Sequence, residues 1–158
     1  MTHIRTLLHR VHAPSKAESG QAMVETAASA MILATLLMGG IDVGRYTYDG
    51  MILGNAARAG VQYGAQNFQT AADNTGMQTA ASKEGANLAL MSVTATQYAM
   101  CDGTKITPIT QSAISSCSTP ATIYVSVTTT GAFKPTITFP GIPNTLTITR
   151  TNVMQVSP

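Results

Sequence analysis

The hydrophobic pattern divides the chain into a polar beginning, one long apolar run, and an end where apolar and polar residues alternate. Residues 1–20 are polar and basic, whereas residues 22–41 carry a single charge, Glu25. Twenty helical residues at about 1.5 Å each span about 30 Å, which is the thickness of the hydrocarbon core of a bilayer. The pattern therefore predicts a transmembrane helix over residues 22–41.

The helical pattern continues past this span to about residue 68. No proline interrupts it, and apolar or small residues recur on one face at Tyr46, Leu53, Ala57 and Val61. The sequence therefore predicts a stalk helix that extends the membrane span.

Charged residues and glycines give the stalk two further features. Arg45 follows Asp42 by three residues and precedes Asp49 by four, so it can pair with either carboxylate on one helix face. Small residues spaced four apart also let helix backbones approach closely. Such pairs arise by chance in a glycine-rich chain, but their recurrence on one helix favours a packing face. The pairs are Gly40 with Gly44, Gly50 with Gly54, and Gly60 with Gly64.

After the stalk the pattern changes twice. Residues 69–76 predict a turn in which Asp73 caps the next helix, and residues 78–90 predict that second, shorter helix. Threonine, valine and isoleucine then alternate with other residues, which predicts β-strands. The predicted strands cover residues 92–100, 121–130, 136–139 and 146–156.

The predicted strands indicate a buried face and a fold class. In the second of them, Ile123, Val125 and Val127 point to one face. In the last strand the apolar positions change parity, which predicts a β-bulge near residues 150–152. Helices come first and strands afterwards, without β-α-β alternation, so the predicted class is α+β with a small antiparallel sheet.

Charge and composition argue against several functions. The net charge of +2 at pH 7 lies in residues 1–20, since the basic and acidic residues after them cancel, and this argues against nucleic-acid binding. All three histidines also lie in residues 1–20. The rest of the chain therefore has no Ser-His-Asp or Cys-His set and no ordinary zinc site. We expect no enzyme activity, no metal or cofactor, and no small-molecule substrate.

The cysteines and the basic beginning indicate how the chain lies in a membrane. The positive-inside rule places the N-terminus in the cytoplasm and the chain after the span on the other side, where disulfides persist. We therefore expect a disulfide between Cys101 and Cys117, the alternative being two buried free thiols. Ala28 and Ala30 resemble a signal-peptidase site, but they precede the most apolar part of the run, which favours a retained anchor.

Three motifs, in order, resemble one protein family. Residues 20–25 (GQAMVE), directly before the apolar span, resemble the processing site of type IV prepilins. Residues 42–48 (DVGRYTY) and 55–60 (NAARAG) are similar to two boxes of the TadE-like family, the minor pilins or pseudopilins of tight-adherence (Tad) pili. A helical stalk followed by a short β-rich domain is also similar to that family.

The resemblance implies a pilin of the bacterial inner membrane, with three parts. Residues 1–20 would form a cytoplasmic leader, residues 21–68 the transmembrane and stalk helix, and residues 69–158 a periplasmic α+β domain. The implied partners are a prepilin peptidase, other pilins and the platform proteins of pilus assembly.

The resemblance also implies roles for single residues. The peptidase would cut between Gly20 and Gln21, and Glu25 would be kept for assembly. The matching family-box residues are Asp42, Arg45, Asn55 and Arg58.

Two other classes of function stay open at this point. An envelope enzyme held by the anchor would have to build its site from residues 69–158, where the acids are scattered and histidine is absent. An uncleaved single-pass adaptor or binding protein of a secretion or pilus machine would keep residues 1–20.

Overall fold

The computed structural model describes residues 16–88, 90–138, 141 and 143–157. Most of the predicted leader lies outside these residues. The chain divides into two compact units, Met1–Gly40 and Ile41–Pro158. The predicted α+β class, with a long N-terminal helix followed by short helices and a four-stranded antiparallel sheet, is confirmed.

Helix α1 spans Lys16–Gly64, a continuous run of 49 residues. Its residues 16–40 are all that the structure describes of the first unit. An 18-residue window in it has a mean hydropathy of 1.6, and no part of that window is buried. Among the described residues, α1 is the one helix long and apolar enough to cross a membrane, which is compatible with a single-pass anchor. It ends at Gly64 rather than near residue 68.

The predicted turn over residues 69–76 is wrong, because a short helix, α2 (Phe68–Ala72), begins there. The side chain of Asn67 accepts a hydrogen bond from the backbone N–H of Thr70, and the hydroxyl of Thr70 accepts one from the N–H of Asn67. This reciprocal capping satisfies two backbone donors at the start of α2 and fixes its first residue.

Helix α3 spans Asn74–Glu84, so it begins and ends earlier than the helix predicted over residues 78–90. Asp73 caps it as predicted, since its carboxylate accepts a hydrogen bond from the backbone N–H of Gly76 at 2.8 Å. The helix ends before Gly85, a residue type that disfavours helix interiors.

The sheet has the strand order β2-β1-β3-β4, and every neighbouring pair is antiparallel. Three strands confirm predictions, whereas the short strand β2 and the helix α4 between the cysteines were not predicted. The strand predicted over residues 136–139 is wrong for residues 136–138, and residue 139 lies outside the described residues. The elements are β1 (Met91–Cys101), β2 (Thr104–Ile106), α4 (Gln111–Ser115), β3 (Thr122–Phe133) and β4 (Leu146–Gln155).

Strand β4 pairs with β3 in one unbroken register along its whole length, so the predicted bulge near residues 150–152 is wrong. The apolar positions change parity for another reason. Asn152 takes an inward position, where its side-chain amide donates to the carbonyl oxygen of Gly54 at 3.0 Å. Val153 lies on the outer face and is 49% exposed.

The core of the second unit lies between the inner face of the sheet and α1. Val61 of α1 is buried in one cluster with Val125 and Val127 of β3. Leu53 of α1 is buried in a second cluster with Phe133 of β3 and Ile148 of β4, and the two clusters confirm the predicted faces of α1 and β3. The next inward residue of β3, Thr129, is also buried, and its hydroxyl donates to the carbonyl oxygen of Leu53 at 2.8 Å. This hydrogen bond satisfies a polar group that burial would otherwise leave unpaired.

Candidate functional site

The predicted processing site, Gly20 and Gln21, lies inside helix α1 rather than before it. Both residues are exposed, and no atom lies within 4 Å of the position that a Cβ on Gly20 would take. Glycine inside a helix is less favourable than alanine by roughly 0.5–1 kcal/mol. Gly20 is therefore an accessible and locally weak point of the helix.

Glu25 lies one turn further along the same face. The side-chain amide of Gln21 donates to Oε1 of Glu25 at 3.2 Å. Its apolar neighbours Met23 and Val24 are 77% and 70% exposed, so the carboxylate lies on a helix surface that is otherwise apolar. The hydrogen bond between the Gln21 and Glu25 side chains is itself exposed.

The first family box ties α1 to the segment that follows β3. The carboxylate of Asp42 accepts hydrogen bonds from the backbone N–H of Thr136 at 2.9 Å and from its hydroxyl at 2.7 Å. Nη1 of Arg45 donates to Asp42 at 3.2 Å and to the hydroxyl oxygen of Thr136 at 2.7 Å. Of the two pairings that the spacing allowed, the described structure contains the one with Asp42 and not the one with Asp49.

An aromatic cluster adjoins this polar contact. The guanidinium of Arg45 lies 5.5 Å from the centre of the Phe133 ring, and Tyr46 meets that ring edge-on at a centroid distance of 5.5 Å.

The hydroxyl of Thr136 lowers the pKa of Asp42 below its ordinary value by hydrogen bonding to the carboxylate. Asp42 is therefore ionised at neutral pH, and the contact with Arg45 persists as an ion pair.

The second family box divides between two faces of α1. Asn55 and Arg58 are exposed, whereas Gly60 is buried. A Cβ on Gly60 would lie 3.0 Å from the carbonyl oxygen of Met77 and 3.0 Å from a methyl group of Val127. Glycine is thus what lets α1 approach α3 and β3 this closely. The box combines an internal packing residue with two polar side chains that face outward.

Comparison with known proteins concerns this same helix. Residues 20–62 match the TadE-like protein family. The matched segment begins at Gly20 and contains both boxes, so the resemblance drawn from the motifs is confirmed over that segment. It associates the chain with Tad pili and with pilus-related protein partners. No curated protein and no solved structure matches the chain.

The six glycines of the three predicted pairs do not form one packing face. Gly60 and Gly64 face the interior of the second unit, and a Cβ on Gly64 would overlap the sulfur of Met77. A Cβ on Gly50 would lie 3.0 Å from Nη2 of Arg150. The remaining three have no atom within 4 Å of a Cβ position and stay available to another helix: Gly40, Gly44 and Gly54.

Outside the TadE-like segment, Cys101 and Cys117 form the predicted disulfide, with their Cα atoms 5.5 Å apart. The adjacent Asp102 accepts hydrogen bonds from the backbone N–H of Ser118 at 2.7 Å and from the hydroxyl of Thr119 at 2.8 Å. These bonds, that of Ser118 most of all, lower the pKa of Asp102. The bridge and the carboxylate therefore fasten the same two segments. The Asp-Gly turn after β1 was the sequence signal that could have indicated Asp102.

Proposed function

We propose that this chain is a minor pilin or pseudopilin of a Tad-type pilus, held in the bacterial inner membrane with its α+β domain, residues 69–158, in the periplasm. A prepilin peptidase cuts it between Gly20 and Gln21. Its role is structural rather than catalytic: it joins, primes or caps a filament used in adhesion or secretion. The observation that carries the proposal is the family match that begins at Gly20 and runs along an exposed, apolar helix.

The carboxylate of Glu25 gives the proposal a physical mechanism. Cleavage creates an α-amine on Gln21, and such amines have a reference pKa of about 7.7–8. When the helices pack into a filament, this amine enters an apolar environment. Insertion scales put an unpaired charge at a helix centre at about 2.5–3.5 kcal/mol. The Glu25 carboxylate of a neighbouring subunit neutralises the amine and thereby sets the axial register between the two helices.

This mechanism predicts opposite fates for two variants. Glu25→Ala should be inserted and cleaved as the wild type is, but it should not enter pili, because no carboxylate then neutralises the amine of its neighbour. Glu25→Asp keeps the charge on a shorter side chain and should restore part of the assembly. The measurement is the amount of this protein in sheared pili relative to that in membranes, with intact mass as the control for cleavage.

Normal assembly of the Glu25→Ala variant would contradict this mechanism. If it enters pili in normal amounts, Glu25 only extends its charged end to the membrane surface, as long polar side chains do near helix ends, and has no assembly role.

One observation favours a second candidate, the uncleaved adaptor. Within the described residues, helix α1 includes Lys16 and passes through Gly20 and Gln21 without a break, so no change of secondary structure marks the proposed cut. An adaptor would keep residues 1–20 joined to the anchor. Its mass would then exceed that of a processed pilin by the mass of those residues.

A further inference from the structure

Strand β4 lies at the end of the sheet, and its outer edge pairs with no other strand among the residues described. Just past β4, the N–H of Val156 donates to the carbonyl oxygen of Ile123 at 2.9 Å, so it points towards β3. The N–H of Ser157 points the other way and donates to Ala65 at 3.0 Å. Backbone directions alternate along an antiparallel strand, so every second residue of β4 points its N–H and C=O away from β3. These residues are Thr147, Thr149, Thr151, Val153 and Gln155.

This edge has one of the devices by which sheets normally prevent pairing with another chain, the charged Arg150. It has no proline, bulge or lysine and is not a very short strand, which are other such devices. Strand β4 is 10 residues long, keeps an unbroken register with β3, and has a single charged side chain, Arg150. Arg150 occupies one edge acceptor, the carbonyl oxygen of Thr149, at 3.1 Å. This contact is exposed, and an N–H from a pairing strand would replace it.

We propose that β4 pairs antiparallel with β4 of a second copy of this chain, about a two-fold axis at Thr151. In this register Thr149 lies opposite Val153 of the second copy, and Arg150 lies opposite Asn152 of the second copy. Moving the axis to Arg150 would place two arginines directly opposite each other, which is destabilising. Moving it to Asn152 would shorten the paired segment. The axis at Thr151 therefore gives the longest pairing without opposed like charges.

The side chains of the outer face also suit a second copy. The hydroxyls of Thr128 and Thr151 lie 2.9 Å apart across β3 and β4, and the two copies of Thr151 continue that row. Threonine pairs and β-branched pairs stabilise neighbouring strands. A partner strand that carries many charges would find only one charged side chain on β4, Arg150. The pairing follows from this edge alone and does not depend on the proposed pilin role.

Cross-linking of the full-length chain in membranes tests the pairing. With the two native cysteines joined to each other, Thr151→Cys introduces a single reactive thiol. Mild oxidation should yield a disulfide-linked dimer, since directly opposite Cβ atoms lie about 4.5–5.5 Å apart. Thr128→Cys on β3 is the matched control, because two copies of it would be three strand spacings apart, about 14 Å. The Thr151→Cys variant should give several-fold more dimer, and equal yields would overturn the proposal.

A second substitution separates strand pairing from other contacts. Val153→Pro, added to Thr151→Cys, removes an N–H that points to the free edge while leaving the bonds to β3 in place. Dimer yield should fall to that of Thr128→Cys, with the native disulfide still protected from thiol reagents as evidence of folding. If the folded double variant cross-links as well as Thr151→Cys alone, the two copies meet by another surface, and the proposed pairing is wrong.

Discussion

At the scale of single residues, three aspartates tie together segments that the backbone alone would leave separate. Asp42 binds Thr136, Asp73 caps α3 and accepts a hydrogen bond from Tyr63 at 2.9 Å, and Asp102 binds the chain beyond the second cysteine. Hydrogen bonds to the charged carboxylate favour it over the protonated form. The main donors are the hydroxyl of Thr136 to Asp42, the backbone N–H of Gly76 to Asp73 and the backbone N–H of Ser118 to Asp102. These hydrogen bonds lower the pKa of all three carboxyls.

These lowered pKa values predict a loss of stability in acid. A carboxyl whose pKa is lower in the folded state stabilises the fold at pH values above its unfolded-state pKa, about 3.9. That contribution is lost as the pH falls through the folded-state pKa. We expect the Tm of the second unit, followed by circular dichroism, to decrease from about pH 4 downwards. Asp102→Asn should have a lower Tm at pH 7 and a shallower decrease in acid. A wild-type Tm that is constant down to the most acidic buffers would contradict this explanation.

At the scale of elements, the close packing of α1 on α3 and β3 depends on the absence of a side chain at Gly60. Gly54, on the same helix, has free space at the corresponding position and serves as the matched control. Both substitutions by alanine improve helix propensity by roughly 0.5–1 kcal/mol, so the difference between them reports packing. We expect Gly54→Ala to raise the free energy of unfolding and Gly60→Ala to lower it by about 1–3 kcal/mol through overpacking. Chemical denaturation of the detergent-solubilised chain measures both, and equal effects would contradict the packing explanation.

Long elements could be predicted from the sequence, whereas short elements could not. Helix α1 and strands β1, β3 and β4 are each ten or more residues long, which gives enough positions to recognise the type of element. Elements of three to five residues, such as α2 and β2, are fixed by caps and turns instead. The error at the supposed bulge has a tertiary cause, since an inward Asn152 is stable only where Gly54 accepts its hydrogen bond.

In the candidate site too, features within one helix could be predicted from the sequence, whereas a contact with a distant segment could not. Motif spacing indicated Gly20, Glu25 and the ion pair of Asp42 with Arg45, because all of them lie within one helix. The partner of that ion pair, Thr136, could not be predicted, since it is distant in sequence and belongs to no periodic element. Its position becomes apparent only once β3 has brought the chain back to α1.

At the scale of the whole molecule, the two units differ in how they treat apolar surface. The second unit buries a core of apolar residues against a sheet, whereas the part of α1 in the first unit exposes large apolar side chains from Met23 to Met38. Exposed apolar surface of this extent marks contact with a membrane or with other proteins. In our account lipid covers it before assembly, and the helices of other pilins cover it within the filament.

Processing of this chain as a prepilin is tested most directly by the intact mass of the protein extracted from membranes. We expect a mature chain that begins at Gln21 in cells with the prepilin peptidase, and an uncut chain in cells without it. Gly20→Leu should stay uncut in both, because a bulky side chain does not fit a peptidase pocket built for glycine. A wild-type chain that keeps residues 1–20 in cells with the peptidase, or that begins at any residue other than Gln21, would contradict the account.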